Sequence, residues 1–278
     1  EEVPDALWDQ SPVFNHHLAR ARRVLANYPP NSQWDVNARR EQLALAENHL
    51  LDAFDHLQIA PIERQESRLA LRVTQALTLA ARANLEREAG DEELAVEYDG
   101  KAEQAYLAAQ GLDAENTHLL ENYARFKVRN ALRSPAGPER TRLLLEAIAL
   151  LDLEARVDEF GDRDEPIAME LAKAYEALTE GGGRSYLEKM AETSPDTALT
   201  AMARIILRGG EGSDADRLTG AEAALRRIPV AAVTWRSRSL LYHVISRRRP
   251  YAFLERLEVL DEIAGMADFV WPLQMRLE

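Results

Sequence analysis

The residues with the clearest chemical reach are histidines. His49, Asp52 and His56 are offset by three and seven, with Asp55 beside them, so one helix presents them on a single face. Two imidazoles and a carboxylate are a zinc-ligand set. However, two helical turns put the imidazoles roughly 10 Å apart along the axis, too far to share one ion. His16 and His17 are adjacent and expected to point in different directions, so they form no site by themselves. The glycine clusters at 181–183 and 209–212 lack the Lys-Ser/Thr or strand context of a phosphate loop and read as turns between helices. Acids are abundant, yet no pair is set apart as an acid/base couple. No cofactor or metal site follows, and the chain reads as non-enzymatic.

Charge gives the other candidate. The 278 residues carry a net −13, which argues against wholesale affinity for a phosphate backbone. Residues 204–256 hold eleven Arg against five acids, a local surplus of six that leaves −19 for the rest. The densest part is Arg247, Arg248 and Arg249 before Pro250. At a helix end such cations interact well with the macrodipole. The same run is a possible patch for an acidic partner or nucleic acid. Only four of the 34 basic residues are Lys, and Arg is the better group for bidentate carboxylate or phosphate contacts.

These residues must be positioned by helices. Ala, Leu, Glu and Arg dominate, whereas Val and Ile are scarce and rarely alternate with polar residues. The fold class is all-α. Apolar spacing and stop signals predict about thirteen helices, over 13–28, 35–57, 61–89, 92–110, 117–132, 139–160, 165–179, 186–193, 195–207, 214–228, 230–246, 250–264 and 266–277. Asp35 is an N-cap, Pro61 a first-turn proline and Gly90 a C-terminal glycine. Phe269, Val270 and Trp271 are expected to cover the last core face from a capping helix. No apolar run approaches the ~20 residues of a membrane span. With no cysteine there are no disulfides or thiolate sites, which fits a reducing, cytoplasmic compartment. The chain begins at Glu1 rather than Met and is expected to be a domain of a longer protein.

Local patterns recur along these helices. Ala102, Tyr106 and Ala109 precede a break at 111–116, after which come Leu120, Tyr123 and Ala124. Leu171, Ala172 and Tyr175 repeat the large, small, large order, as do Trp235, Ser239 and Tyr242. Pro195 and Pro229 are 34 residues apart. The pattern resembles the tetratricopeptide repeat, whose large residues are knobs and whose small ones let a neighbouring helix approach. The period is irregular. Ala124 to Ala172 spans 48 residues and Ala172 to Ser239 spans 67.

The resemblance implies a right-handed superhelical array of antiparallel helix pairs, an α-solenoid. It divides as weakly matching helices over 1–60, degenerate repeats over 61–264 and a cap over 265–278, all one continuous module. It also implies a concave groove for a peptide or partner protein, lined by Glu121, Asn122, Arg125, Arg129, Lys173 and Arg236, with Asn84 also on the groove side. Ala80 and Glu170 occupy the positions where a carboxylate clamp would need lysines, so a clamp for a peptide C-terminus is not expected. The expected function is a non-catalytic scaffold, a module of a larger bacterial signalling or regulatory protein. A nucleic-acid-binding helical repeat using residues 204–256 is the alternative.

Overall fold

The computed structural model describes residues 11–29, 34–59, 65–151, 164–209 and 212–266. Among these there are twelve α-helices and no strand. The chain divides into two compact units, Glu1–Phe126 and Lys127–Glu278. The boundary lies inside a helix, where the sequence gives no sign of a division.

Unit 1 contains α1 (Pro12–Asn27), α2 (Val36–Ile59), α3 (Gln65–Glu88), α4 (Glu92–Gln110) and the first part of α5 (Thr117–Arg133). Helix α1 packs on α2, α2 on α3 and α3 on α4. Ala19 and Ala26 on α1, and Ala46 and Ala53 on α2, recur at seven-residue spacing and are fully buried. A residue with no side chain beyond Cβ lets two helix backbones approach closely. Leu43, Leu50, Leu57 and Leu71 fill the space beside that seam. Between α4 and α5 the filling is aromatic: the Tyr106 and Tyr123 rings stack at 4.9 Å and Phe126 tilts against Tyr106 at 5.4 Å.

The helix ends follow local chemistry. Asp35 Oδ1 accepts from Ala38 N at 2.8 Å, Asp91 Oδ1 from Leu94 N at 3.1 Å, and Asn116 Oδ1 from Leu119 N at 3.1 Å. Gly90 takes φ +84°, the left-handed conformation that ends α3. Pro61 lies outside the described residues.

Unit 2 contains the end of α5, then α6 (Pro138–Leu151), α7 (Asp164–Leu178), α8 (Gly182–Met190), α9 (Pro195–Arg208), α10 (Asp214–Arg226), a 3-10 turn (Val230–Ala232), α11 (Trp235–Arg248) and α12 (Phe253–Met266). Successive helices pack in adjacent pairs, α7 with α8, α9 with α10, and α11 with α12. One core runs through them, including Leu187, Leu199, Leu225, Leu241, Tyr242, Ile245 and Leu260.

Three sequence expectations need correction. The glycine cluster is not simply a turn. Gly181 takes φ +74° as the N-cap, but Gly182 and Gly183 are the first residues of α8, which therefore starts at 182 rather than 186. A Cβ on Gly183 would lie 2.3 Å from the Ala172 carbonyl oxygen, and one on Gly182 2.5 Å from that of Tyr175. Those glycines are what lets α8 lie on α7. The segment expected as one helix over 230–246 is a 3-10 turn and then a helix, because a capping box of Thr234 and Ser237 starts α11 afresh. Helix α12 ends at Met266. The His16 and His17 rings do not diverge; they stack at 5.8 Å. The helix expected over 139–160 is described as far as Leu151, and residues 152–160 and the expected capping segment after Met266 lie outside the described residues.

Candidate functional site

The histidines are absorbed by structure. His16 Nε2 lies 2.8 Å from Thr74 Oγ1, His49 Nδ1 lies 3.1 Å from Asn15 Oδ1, and His56 Nδ1 bonds the Asp52 carbonyl at 2.6 Å. Burial and the neighbouring charges of Arg20, His17 and Arg23 hold His16 down to about 4. Among the described residues no group of three or more His, Cys, Asp or Glu could hold a metal ion.

The arginine run is also engaged. Arg248 and Arg249 each donate to the Glu222 carboxylate at 2.6 Å, Arg249 also reaches Glu255 at 3.0 Å, and Arg247 reaches Asp214 at 3.1 Å. Glu222 is buried. Burial alone would push its carboxyl up, but hydrogen bonds from Arg226 and Arg248 outweigh it and hold the group below its usual range. Elsewhere in residues 204–256, Arg226 also reaches Glu255, Arg227 pairs with Glu188 at 2.6 Å, and Arg238 pairs with Glu262 at 2.5 Å. Acids outside the stretch, Glu165 with Arg204, Glu188 with Arg227 and Glu262 with Arg238, offset three of its six surplus charges.

The expected groove residues fall in both units. In unit 1, Asn84 is half-buried on α3 and Glu121 is buried on α5. Glu121 pairs with Arg125 at 2.6 Å, and Asn122 Nδ2 donates to the His118 carbonyl at 2.7 Å. In unit 2, Arg129 is half-buried, Lys173 pairs with Glu170 at 2.7 Å, and Arg236 lies 5.2 Å from the ring of Trp235. Tyr242 is buried, whereas Trp235 is only half-buried.

Of these residues, Lys173 lines a cleft of ≈ 760 Å³ within unit 2. Sites for ligands commonly occupy about 300–1,000 Å³. Its floor is aliphatic, from Leu187 on α8 and Met202, Ile205 and Ile206 on α9. The α10 wall is small, with Gly220, Ala223 and Ala224. A Cβ at Gly220 would come within 3.3 Å of Ile206 Cγ2, so that side chain would have to shift slightly. On the α7 side are Ala172, Lys173, Glu176 and Ala177. The close approach of α7 and α8 at Gly183 and the small wall of α10 thus leave a space that the side chains around it do not fill.

The polar rim is mostly cationic: Arg140 from α6, Lys173 from α7, Arg184 from α8 and Arg227 just after α10, against the single acid Glu176. Glu176 is committed to α8. Its two carboxylate oxygens accept from Gly181 N and Gly183 N, both at 3.0 Å, which satisfies amides at the start of that helix. Hydrogen bonding to Arg227 holds the Glu188 carboxyl below its usual range, and the same bond raises Arg227. Sequence reasoning missed Arg140, Arg184 and Arg227. Arg140 and Arg184 carry one local signal, since both lie in the first turn of a helix, where a cation opposes the macrodipole.

Comparison with protein-family models, curated proteins and solved structures finds no match.

Proposed function

We propose that this chain is a non-catalytic scaffold that binds a segment of a partner protein in the unit 2 cleft. On this reading the helix pairs belong to a tetratricopeptide-like α-solenoid, a module of a larger regulatory protein working in the cytoplasm. The observation that carries the reading is the cleft itself, open at its exposed rim residues and floored by aliphatic side chains from two packed helices. Apolar anchors docking into such a floor are how helical grooves take peptides. Among the described residues no helix is long and apolar enough to cross a membrane.

The alternative, a nucleic-acid surface over residues 204–256, draws on Arg247, Arg248 and Arg249. Their pairing with Asp214, Glu222 and Glu255 leaves less charge to offer a phosphate backbone.

The test is a peptide-library selection against the protein, with Ala223→Trp as counter-target. Ala223 is exposed on the cleft wall, so an indole there occludes the space without entering the core. Selected peptides should bind the parent and lose at least about tenfold in affinity for the variant, a change of about 1.4 kcal/mol. Peptides that bind both equally would remove the cleft from the proposal.

A further inference from the structure

We infer that the partner segment seated in the unit 2 cleft is acidic and amphipathic, with aliphatic side chains on the floor and carboxylates on Arg140 and Arg184. The inference rests on the proposed binding role of the cleft and adds the chemistry of its occupant. Although four cations line the rim, they are not equivalent. Lys173 is held by Glu170 and Arg227 by Glu188, while Glu176 is occupied by the backbone of α8. Arg140 and Arg184 have no ion-pair partner among the described residues, and Arg140 Nε is buried with no hydrogen-bond acceptor.

Both guanidiniums also stand where the local helix disfavours them, in the first turns of α6 and α8. On α8 the charge of Glu188, four residues on, acts on Arg184 but is already bonded to Arg227. A carboxylate offers a guanidinium a bidentate acceptor.

Two cations on separate helices fit several carboxylates along a chain better than the single headgroup of a fatty acid. Among the described lining residues there is no aromatic side chain to stack a base, and stacking is how single-stranded nucleic acid is held without sequence preference. An aliphatic floor instead matches Leu or Ile side chains at i, i+3, i+4 and i+7 of a helix.

The experiment uses the 278-residue chain and fluorescein-labelled synthetic helical peptides. Each has Leu at that spacing and Glu, Gln or Lys at the flanking positions. Anisotropy is read at low and high salt, with dodecanoate and an oligothymidylate as competitors. The Glu peptide should bind, the Gln peptide about tenfold more weakly, and the Lys peptide more weakly still. Raising salt should weaken the Glu peptide alone. The double variant Arg140→Glu with Arg184→Glu should invert the order, losing the Glu peptide and gaining the Lys peptide. Its melting temperature should match or exceed that of the parent, because acids suit first turns, so a misfolded variant cannot mimic the result.

If Glu and Gln peptides bind equally and Ala223→Trp weakens both, the cleft remains a peptide site and the acidic inference falls. If no peptide binds, or none responds to Ala223→Trp, both readings fall. Displacement of the Glu peptide by dodecanoate or the oligothymidylate at comparable concentration assigns the cleft to lipid or nucleic acid and overturns the inference.

Discussion

Each unit buries a glutamate among arginines, yet the two use their remaining space differently. In unit 1, Glu86 is fully covered and accepts from Arg40 at 3.1 Å and Arg82 at 2.6 Å. The Arg40 hydrogen bond, aided by Arg82, holds its carboxyl below the usual range against the opposing effect of burial. Arg39 is spent on Glu88 and Arg87 on Glu92 and Asp99, while Tyr106, Tyr123 and Phe126 fill the space between α4 and α5. In unit 2, Glu222 gathers Arg226, Arg248 and Arg249 in the same way, but the space among α7 to α10 stays open and two rim arginines have no ion-pair partner among the described residues. The units share the buried glutamate and differ in packing, with aromatic rings between α4 and α5 and an open space among α7 to α10.

The largest effect should come from the glycine that shapes the cleft. Gly183→Val places a Cβ against the Ala172 backbone, which cannot swing aside as a flexible side chain would. It should cost about 3 kcal/mol, read as a lower urea midpoint. Gly100 in α4 is the counterpart in unit 1, a helix-interior glycine with nothing within 4 Å of a built Cβ. Gly100→Ala should therefore stabilise by roughly 1 kcal/mol through helix propensity. A Gly183→Val midpoint at or above that of the parent would show that the close approach of α7 and α8 is not what Gly183 serves.

The buried glutamates come next, and solvent access ranks them. Around Glu86 the arginine side chains are 32% and 15% exposed; around Glu222 they are 46%, 34% and 42% exposed. Arginines near water recover hydration when their partner is removed. Glu86→Ala should cost about 3 kcal/mol and Glu222→Ala nearer 2 kcal/mol, compared by denaturant titration at pH 7. The reverse ranking would mean that the three-arginine cluster is the better-built one.

Much of the helix layout was legible because its signals are local. Asp35 and Gly90 stand where a cap and a left-handed stop are needed, and Pro195 opens α9 at its first residue. What was not legible depends on residues far apart in sequence. The glycines at 182 and 183 have a turn composition, and only the Ala172 and Tyr175 carbonyls pressed against them explain why glycine begins a helix there. Arg248 reads as a helix-end cation until α10 brings Glu222, 26 positions earlier, beneath it. The site is similar. Lys173 was reached through the repeat pattern, whereas Arg140, Arg184 and Arg227 follow no such pattern, and the floor of Met202, Ile205 and Ile206 looks like ordinary core.

The last contrast lies in unit 1 and separates a part-buried polar contact from the glutamate clusters by its pH window. His16 faces Thr74, with Arg20, His17 and Arg23 as the charges acting on it, and it ionises at about 4 in the fold against 6.5 for a free side chain. Between those values the unfolded chain takes up a proton that the folded chain refuses. Stability therefore falls as pH drops from 6.5 towards 4 and rises again on return. The lowered carboxyls of Glu86 and Glu222 act in the acid range instead, their contribution being present above the usual carboxylate value of 4.5 and lost as pH falls through their folded values. His16→Gln keeps a polar group within reach of Thr74 and removes the titration. Melting curves from pH 7 to 5 should be flatter for this variant than for the parent, with the acid-side loss below pH 4.5 retained in both. Parallel curves over pH 7 to 5 would show that His16 accepts its proton in the fold as readily as in water, and that its contact with Thr74 survives the charge.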